Sequence, residues 1–341
     1  MPPAPLPRVL VTGANGFLGR HLVAELLRRS YPVRVLVRPG SPASAALPPL
    51  ASLPIEVCEF DLAPAAAKAT MTHLAAGCGA IIHAAAVAQV NPARNPAVVL
   101  ANLGATENAL RMARQPGIER FVYVGTANVF GFGTQARPGD ETRPYAGRCY
   151  GLDYMDSKRA ATDLVLAAVA REQLPAVLVH PTFMLGPGDA RPTSGALLLE
   201  LHAGRLPGYP LGGKNYVHVQ DVAVATVNAL TQGRVGESYI LGNENLSYRE
   251  AFELISGVLG VDPPRWPLPP PVANFYGAAC DLKARLTGRP AQVNSAMTAV
   301  ANDGHYFTAQ KARHELSLPQ TPITQAVAEA FAWFKTHDYV Q

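Results

Sequence analysis

Tyr154 and Lys158, in the run Tyr154-Met155-Asp156-Ser157-Lys158, form a pair that can move a proton. On a helix, residues four apart share a face, so the lysine ammonium can lie beside the phenol. A free tyrosine ionises near ~10 and is a poor acid or base at neutral pH. A neighbouring cation stabilises the phenolate and lowers that value, at roughly 1.4 kcal/mol per unit. A phenol tuned in this way exchanges a proton with an alcohol or a carbonyl oxygen. The spacing alone is weak, because the chain has 12 tyrosines. Counting back four residues from Lys68, Lys214, Lys283, Lys311 or Lys335, however, reaches no other tyrosine.

A second constellation lies at the start of the chain, in Thr12-Gly13-Ala14-Asn15-Gly16-Phe17-Leu18-Gly19. The run falls between a short β-branched segment, Val9-Leu10-Val11, and residues 17–29, where Phe17, Leu18, Leu22, Leu26 and Leu27 recur at helical spacing. Glycines in that strand-to-helix context allow a tight turn, and the helix N-terminus offers free N–H groups to a pyrophosphate. Gly13, Asn15, Gly16, Phe17, Leu18 and Gly19 are therefore candidate dinucleotide contacts. The end of the second strand decides between the two nicotinamide dinucleotides, since a carboxylate there meets a ribose 2′-hydroxyl and an arginine meets a 2′-phosphate. Arg38 stands at that point, with no acidic residue from 31 to 53, so NADP(H) is expected over NAD(H). Asp61 and Leu62 follow the third strand and are expected near the adenine, with a local capping role as the competing use of Asp61.

These residues need a scaffold to position them. Strand-like and helix-like segments alternate through residues 33–37, 55–60, 65–76, 80–83, 97–114, 120–124, 154–171 and 176–180. Six strands separated by helices imply an α/β fold with a doubly wound parallel sheet. From Phe183 the pattern breaks at Gly186-Pro187-Gly188, Pro207, Pro210 and Gly212-Gly213, which marks a smaller, mainly helical lobe. A helix from Asp221, with Asp221 as its cap, and a strand at 237–241 return the chain to the main sheet. The expected division is 1–182 plus 215–243 for the dinucleotide-binding part, and 183–214 plus 244–341 for the substrate lobe.

Composition narrows the class. With 48% hydrophobic and 16% charged residues over 341 positions, the chain can bury a large core. Its net charge of +4 is scattered, which argues against a nucleic-acid surface. Cys58, Cys78, Cys149 and Cys280 are far apart and suggest neither a metal site nor a disulfide framework. No segment is apolar and long enough to read as a membrane span, and the Pro-rich residues 1–7 lack the features of a secretory leader, so a cytoplasmic protein is expected.

With these motifs in hand, the chain resembles the extended branch of the short-chain dehydrogenase/reductase superfamily over nearly its whole length. Thr12 to Gly19 matches the family's T-G-x-x-G-x-x-G, His83-Ala84-Ala85-Ala86 its cofactor-wall segment, and residues 102–108 its N-x-x-G-T-x-N. His180-Pro181-Thr182 and Leu185-Gly186-Pro187-Gly188-Asp189 match the segment after the sixth strand. The resemblance implies that Tyr154 and Lys158 are catalytic and that Thr126, in Gly125-Thr126-Ala127-Asn128-Val129-Phe130-Gly131, supplies the third hydroxyl. Gly125 and Phe130 depart from that motif without removing the hydroxyl. It further implies that Asn102 supports the site, that Ala84, Ala85 and Ala86 leave room for the dinucleotide, and that Pro181 and Thr182 flank the nicotinamide. Tyr154 and Lys158 also meet the cofactor. A homodimer packed through residues 97–114 and 154–171 is the family's common assembly.

Two outcomes share this machinery: net reduction of a carbonyl, or transient oxidation and re-reduction of a nucleotide sugar. Within the branch, the nearest resemblance is to dihydroflavonol-reductase-like, 3β-hydroxysteroid-dehydrogenase-like and hopanoid-associated sugar epimerase-like proteins. The segment His180-Pro181-Thr182-Phe183-Met184 lacks the Asn that nucleotide-sugar enzymes tend to carry, leaving Arg191, Arg205 and Lys214 as candidate diphosphate contacts. Phe183, Met184 and Leu185, with Val272, Phe275, Tyr276 and Ala279, suggest an apolar pocket. The expectation is an NADP(H)-dependent reductase acting on a small lipophilic carbonyl or alcohol, with a nucleotide-sugar epimerase/dehydratase as the alternative. His83, His180 and His218 read as structural.

Overall fold

The computed structural model describes residues 6–40, 53–64, 67–288 and 293–340. The first half alternates strand and helix: β1 (Val9–Thr12), α1 (Phe17–Arg28), β2 (Val33–Val37), β3 (Glu56–Glu59), α2 (Lys68–Ala75), β4 (Ala80–His83), α3 (Pro96–Ala113), β5 (Arg120–Val124), α4 (Asp153–Glu172) and β6 (Ala176–Pro181). Positions 65 and 66 of the expected second helix, like residues 1–5, lie outside the described residues. The chain continues through β7 (Phe183–Leu185), α5 (Ala196–His202), β8 (Tyr209–Pro210), β9 (Gly213–His218), α6 (Val219–Asn228) and β10 (Ser238–Leu241). It ends with β11 (Glu244–Ser247), α7 (Tyr248–Leu259), β12 (Pro267–Leu268), α8 (Pro270–Thr287), α9 (Ser295–Asn302), β13 (Gly304–His305), α10 (Gln310–Glu315) and α11 (Ile323–Thr336).

The main sheet is parallel throughout, in the order β10-β6-β5-β4-β1-β2-β3. It is a Rossmann-type doubly wound sheet whose strand order reverses between β1 and β4, the place where such sheets open a ligand crevice. Every residue of β1, β2, β4 and β6 is buried, as continuous β-branched runs covered on both faces require. On one face α1, α6 and α10 cover the sheet through Leu18, Leu22, Leu26, Val222, Ala225 and Leu316. On the other, α2, α3 and α4 close a second core through Met71, Ala109, Met112, Ala161 and Val165. Each fully buried Val, Leu or Ile contributes about 1.5–3 kcal/mol of transfer free energy, so burial on both faces dominates the stabilisation.

The seventh strand, β10, completes the sheet where the sequence anticipates the chain's return. The expected cap of α6 is different. The helix starts at Val219, and its cap is His218, whose Nδ1 accepts from Gln220 N at 2.9 Å. Asp221 lies within the first turn and spends its carboxylate on Thr321, accepting from the backbone N–H and the hydroxyl at 2.8 Å each. A tertiary partner 100 residues away takes the side chain that local reasoning assigned to the cap.

The C-terminal region is mainly helical, around a smaller sheet in the order β11-β9-β13 with β7 added to β9. Its core joins Leu185, Tyr216, Phe252, Ile255, Val327, Phe331 and Phe334. A capping box sets the start of α7, with Ser247 Oγ accepting from Glu250 N and the Glu250 carboxylate accepting from Ser247 N. Strand β9 matters most for the site, because its neighbours bring residues from 183, 246 and 305 to Lys214.

Candidate active site

The glycine turn between β1 and α1 forms one wall of a cavity of about 580 Å³ at the carboxyl end of the sheet. Gly13 holds φ +74°, and a Cβ there would stand 2.7 Å from Ala85 N, so only glycine fits. A Cβ on Gly19 would fall 2.0 Å from Gly13 O and 2.8 Å from Ala14 Cα, which makes the third glycine the one that lets helix and turn touch. Gly16 caps α1 without any side-chain hydrogen bond, leaving the first-turn N–H groups to the cavity. A cradle of backbone donors, a glycine turn and a wall of small residues fit a pyrophosphate-bridged dinucleotide.

Of the residues expected there, Gly13, Asn15, Gly16, Phe17, Arg38, Asp61, Leu62, Ala84, Ala85 and Ala86 line the cavity, together with Asn102. Leu18 and Gly19 do not; Leu18 is core at 7% exposure, and Gly19 serves packing. Asp61 Oδ1 accepts from Ala63 N at 2.9 Å, so the competing local role is real even at the cavity edge. Arg191, one of the candidate diphosphate contacts, lines the cavity too, and so does Arg20, which the sequence reading missed. Arg20 had a signal, lying three residues past Phe17 and thus on the same face of α1. The loop after β7 delivers Arg191 to the cavity. That loop is held by Asp189, whose Oδ2 accepts from Thr193 N and Gly195 N at 2.8 and 2.9 Å.

Tyr154, Lys158, Thr126, Pro181 and Thr182 stand outside the lining of this cavity. They meet instead at the ends of β5 and β6 and the start of α4. Lys158 Nζ donates to Val124 O at 2.7 Å and sits 4.7 Å above the Tyr123 ring. Thr126 follows two residues later and caps a single turn, its Oγ1 accepting from Asn128 N at 3.4 Å. Thr182 Oγ1 donates to Asn215 Oδ1 at 2.8 Å. Asn102 ties the two regions together: Oδ1 accepts from Val87 N at 2.7 Å, and Nδ2 donates to Ser157 Oγ at 3.0 Å. Ser157 in turn donates to Tyr154 O at 2.8 Å, so Asn102 reaches the tyrosine through backbone and a serine.

The electrostatics differ from the simple picture of a phenol acidified by its lysine. Burial pushes the Tyr154 phenol up to about 12, and burial draws the Lys158 ammonium down to about 7. In the ligand-free protein, desolvation sets both shifts. His83 and His180 are likewise pushed down to about 3, chiefly by burial with the Lys158 charge adding to it, and stay neutral. Their uses are structural, as expected: His83 bonds Thr12 Oγ1 at 2.9 Å, and His180 packs on Phe130.

A further basic group lies in the C-terminal region, outside the lining of the cavity. Lys214 on β9 pairs in register with His305 on β13 and lies 5.0 Å over the Phe183 ring. Among the described residues it meets no carboxylate, and burial draws its ammonium down to about 8. His305 continues the link, with Nδ1 3.2 Å from Asn128 Oδ1 and Nε2 3.3 Å from Tyr150 Oη. Arg205, by contrast, is committed to Glu200 at 2.7 Å. The expected apolar pocket is not formed as the sequence suggested. Leu185 is core at 1% exposure, and Val272, Phe275 and Tyr276 are 54, 78 and 58% exposed on the outer side of α8. Helical spacing identified their shared face but not which way it points.

Residues 9–242 match the model of the NAD dependent epimerase/dehydratase family. A Synechocystis protein named "Putative dihydroflavonol 4-reductase" is 32% identical over 97% of this chain and 95% of its own. The crystal structure of gox2253 superposes with a TM-score of 0.83 at 32% identity, over 98% of this chain and 99% of that one. A Thermus thermophilus UDP-glucose 4-epimerase, solved with NAD, gives a TM-score of 0.73 at 22% identity over 96 and 99% of the two chains. The chain belongs to the NAD dependent epimerase/dehydratase family, within the extended short-chain dehydrogenase/reductases. It is an NAD(P)(H)-linked enzyme of the oxidoreductase and epimerase class, acting on small molecules. Among the described residues, no helix is long and apolar enough to cross a membrane.

The expectation of NADP(H) over NAD(H) is overturned, since the solved epimerase of this fold holds NAD. The physical reason lies at Arg38. Arg38 is exposed, and Asp61 lines the same cavity, so the lining offers a carboxylate as well as a guanidinium. A single arginine offset in this way is a poor discriminator for a 2′-phosphate.

Proposed function

We propose that the protein is an NAD(H)-dependent epimerase or dehydratase acting on a nucleoside-diphosphate-linked sugar. One observation carries this reading: Lys214, a half-buried ammonium with no carboxylate partner among the described residues, lies over Phe183 and beside His305, which reaches Asn128 next to Thr126. Partly desolvating an unpaired cation has a cost, and an anionic substrate group offsets it. Membership of the epimerase/dehydratase family agrees with it.

In this reading a nicotinamide dinucleotide, when bound, would supply reversible hydride exchange with the sugar. Tyr154 exchanges the proton of the reacting oxygen, and Thr126 donates a hydrogen bond to that oxygen as charge develops. Lys158, one helical turn after Tyr154, would supply positive charge that favours the phenolate once substrate and cofactor bind. Asn102 acts as a positioning residue through Val87 and Ser157. Gly13, Gly16 and the start of α1 hold the pyrophosphate, and Ala84 to Ala86 leave space for the dinucleotide.

A second reading, net reduction of a carbonyl, has its own support. Tyr154 held near 12 is protonated at rest and ready to donate, and the Synechocystis relative named above carries a reductase name. A panel of nucleotide sugars, ketones and aldehydes separates the two, with products resolved by chromatography and reduced nicotinamide followed by absorbance. Epimeric or dehydrated sugar without net cofactor turnover supports the proposal. Stoichiometric oxidation of NADH by a neutral carbonyl refutes it.

A further inference from the structure

We propose that helix α8 docks the protein on an anionic lipid surface. The helix has two apolar faces, and only one is used. Ala273 and Gly277 pack on α9, where a Cβ on Gly277 would come within 2.6 Å of Thr298 Oγ1 and 2.8 Å of Ser295 Cα. Asp281 anchors the same face, accepting from Ser295 Oγ at 2.5 Å and Ser295 N at 3.2 Å. These contacts fix the helix's rotation and turn Phe275, Leu282 and Leu286 outward, at 78, 58 and 79% exposure. Val272 and Tyr276 share that stripe, and Trp266, at 74% exposure, precedes it.

Single exposed apolar residues are ordinary, but a contiguous stripe of this kind marks an interaction surface. Charge selects the partner. Arg265, Lys283 and Arg285 lie in the same segment, and none pairs with a carboxylate among the described residues. Asp281, the one acidic residue of α8, is occupied by Ser295. An amphipathic helix with basic residues and interfacial Trp and Tyr suits the headgroup boundary of an anionic bilayer. The positive charge of this face favours an anionic surface over a second copy that carries the same charge. The surface also lies one layer from the site. Ala296 of α9, beneath α8, belongs to the cluster that contains Tyr150, Leu152 and Met155, with Tyr154 packed against it.

The inference does not depend on the substrate, and its test needs no turnover. Full-length protein is floated with vesicles of phosphatidylglycerol and phosphatidylcholine, and with phosphatidylcholine alone. The expected result is flotation with the anionic vesicles, at least tenfold weaker with phosphatidylcholine alone and reduced by salt. Phe275→Ser with Leu286→Ser, and separately Lys283→Glu with Arg285→Glu, should each lower binding at least tenfold without changing the melting temperature. Absence of flotation by the wild type overturns the proposal, as does binding unchanged in both variants. Concentration-dependent self-association that Phe275→Ser with Leu286→Ser abolishes, without lipid binding, also overturns it and assigns the face to a second copy.

Discussion

Replacing Lys214 by methionine removes the charge and keeps the length of the side chain. A unit charge about 4 Å from an anionic group interacts by about 4 kcal/mol at an effective dielectric of about 20. Competition with water reduces that to the range of about 1.5–3 kcal/mol found for a hydrogen bond to a charged group. The KM for a diphosphate sugar should therefore rise about 10- to 100-fold. Because the diphosphate is remote from the reacting carbon, kcat should change little. The pH dependence provides an internal control. With the Lys214 ammonium titrating at about 8, its contribution is present below that value and lost as pH rises through it. Wild-type KM should thus climb above pH about 8, Lys214→Met should be flat, and Lys214→Arg should keep low KM to higher pH. Burial disfavours the charge in the empty site, so Lys214→Met should melt no lower than wild type. Steady-state kinetics across pH with a nucleotide sugar is the assay. An unchanged KM in Lys214→Met would refute the reasoning.

Three further outcomes follow from the packing and the buried histidines. Gly19→Ala sets a Cβ 2.0 Å from Gly13 O and 2.8 Å from Ala14 Cα, backbone atoms that cannot swing aside. It should cost about 1–3 kcal/mol and remove the stabilisation that NAD gives in a thermal melt. Asn102→Ala leaves Val87 N and Ser157 Oγ without their partner, at a cost of about 1–3 kcal/mol. Its kcat should fall while the KM for the sugar stays near wild type; an unaltered kcat would count against a positioning role. His83, His180 and His305 are each held near 3 by burial, below the ordinary value near 6.5. The unfolded chain binds protons that the folded one refuses, so the stability is complete above pH about 6.5 and drains away toward 3. Melting temperatures across that interval should fall as the solution is acidified.

The sheet and the glycine turn were legible because their signals are local. Continuous β-branched runs, a 3.6-residue repeat after Gly16 and the ordered motifs through Tyr154 and Lys158 each need only neighbouring residues. What the sequence hid depends on distant pairing. Lys214 was named from sequence as a candidate contact, but its setting comes from β13, which places His305 beside it, with no carboxylate partner among the described residues. Asp221 reads as a cap until Thr321 claims it. Arg38 reads as a phosphate contact until Asp61 is seen to share its cavity. Val272, Phe275 and Tyr276 form one helical face in sequence, and only Asp281 and Gly277 locking on α9 decide that it points outward. The acidity of Tyr154 was misjudged in the free protein because helical spacing reports proximity, whereas burial sets the solvation cost of both charges.

The claim that hydride leaves and returns to the same sugar is tested by a nucleotide sugar carrying deuterium at the reacting carbon, turned over with NAD in the presence of Tyr154→Phe as control. Deuterium kept within the altered sugar, at the same carbon for an epimerisation or moved to the carbon that lost its hydroxyl for a dehydration, with no accumulation of reduced cofactor and no product from Tyr154→Phe, is the predicted result. Deuterium recovered in free NADH, with one cofactor consumed per product, would contradict the account and identify the protein as a net oxidoreductase.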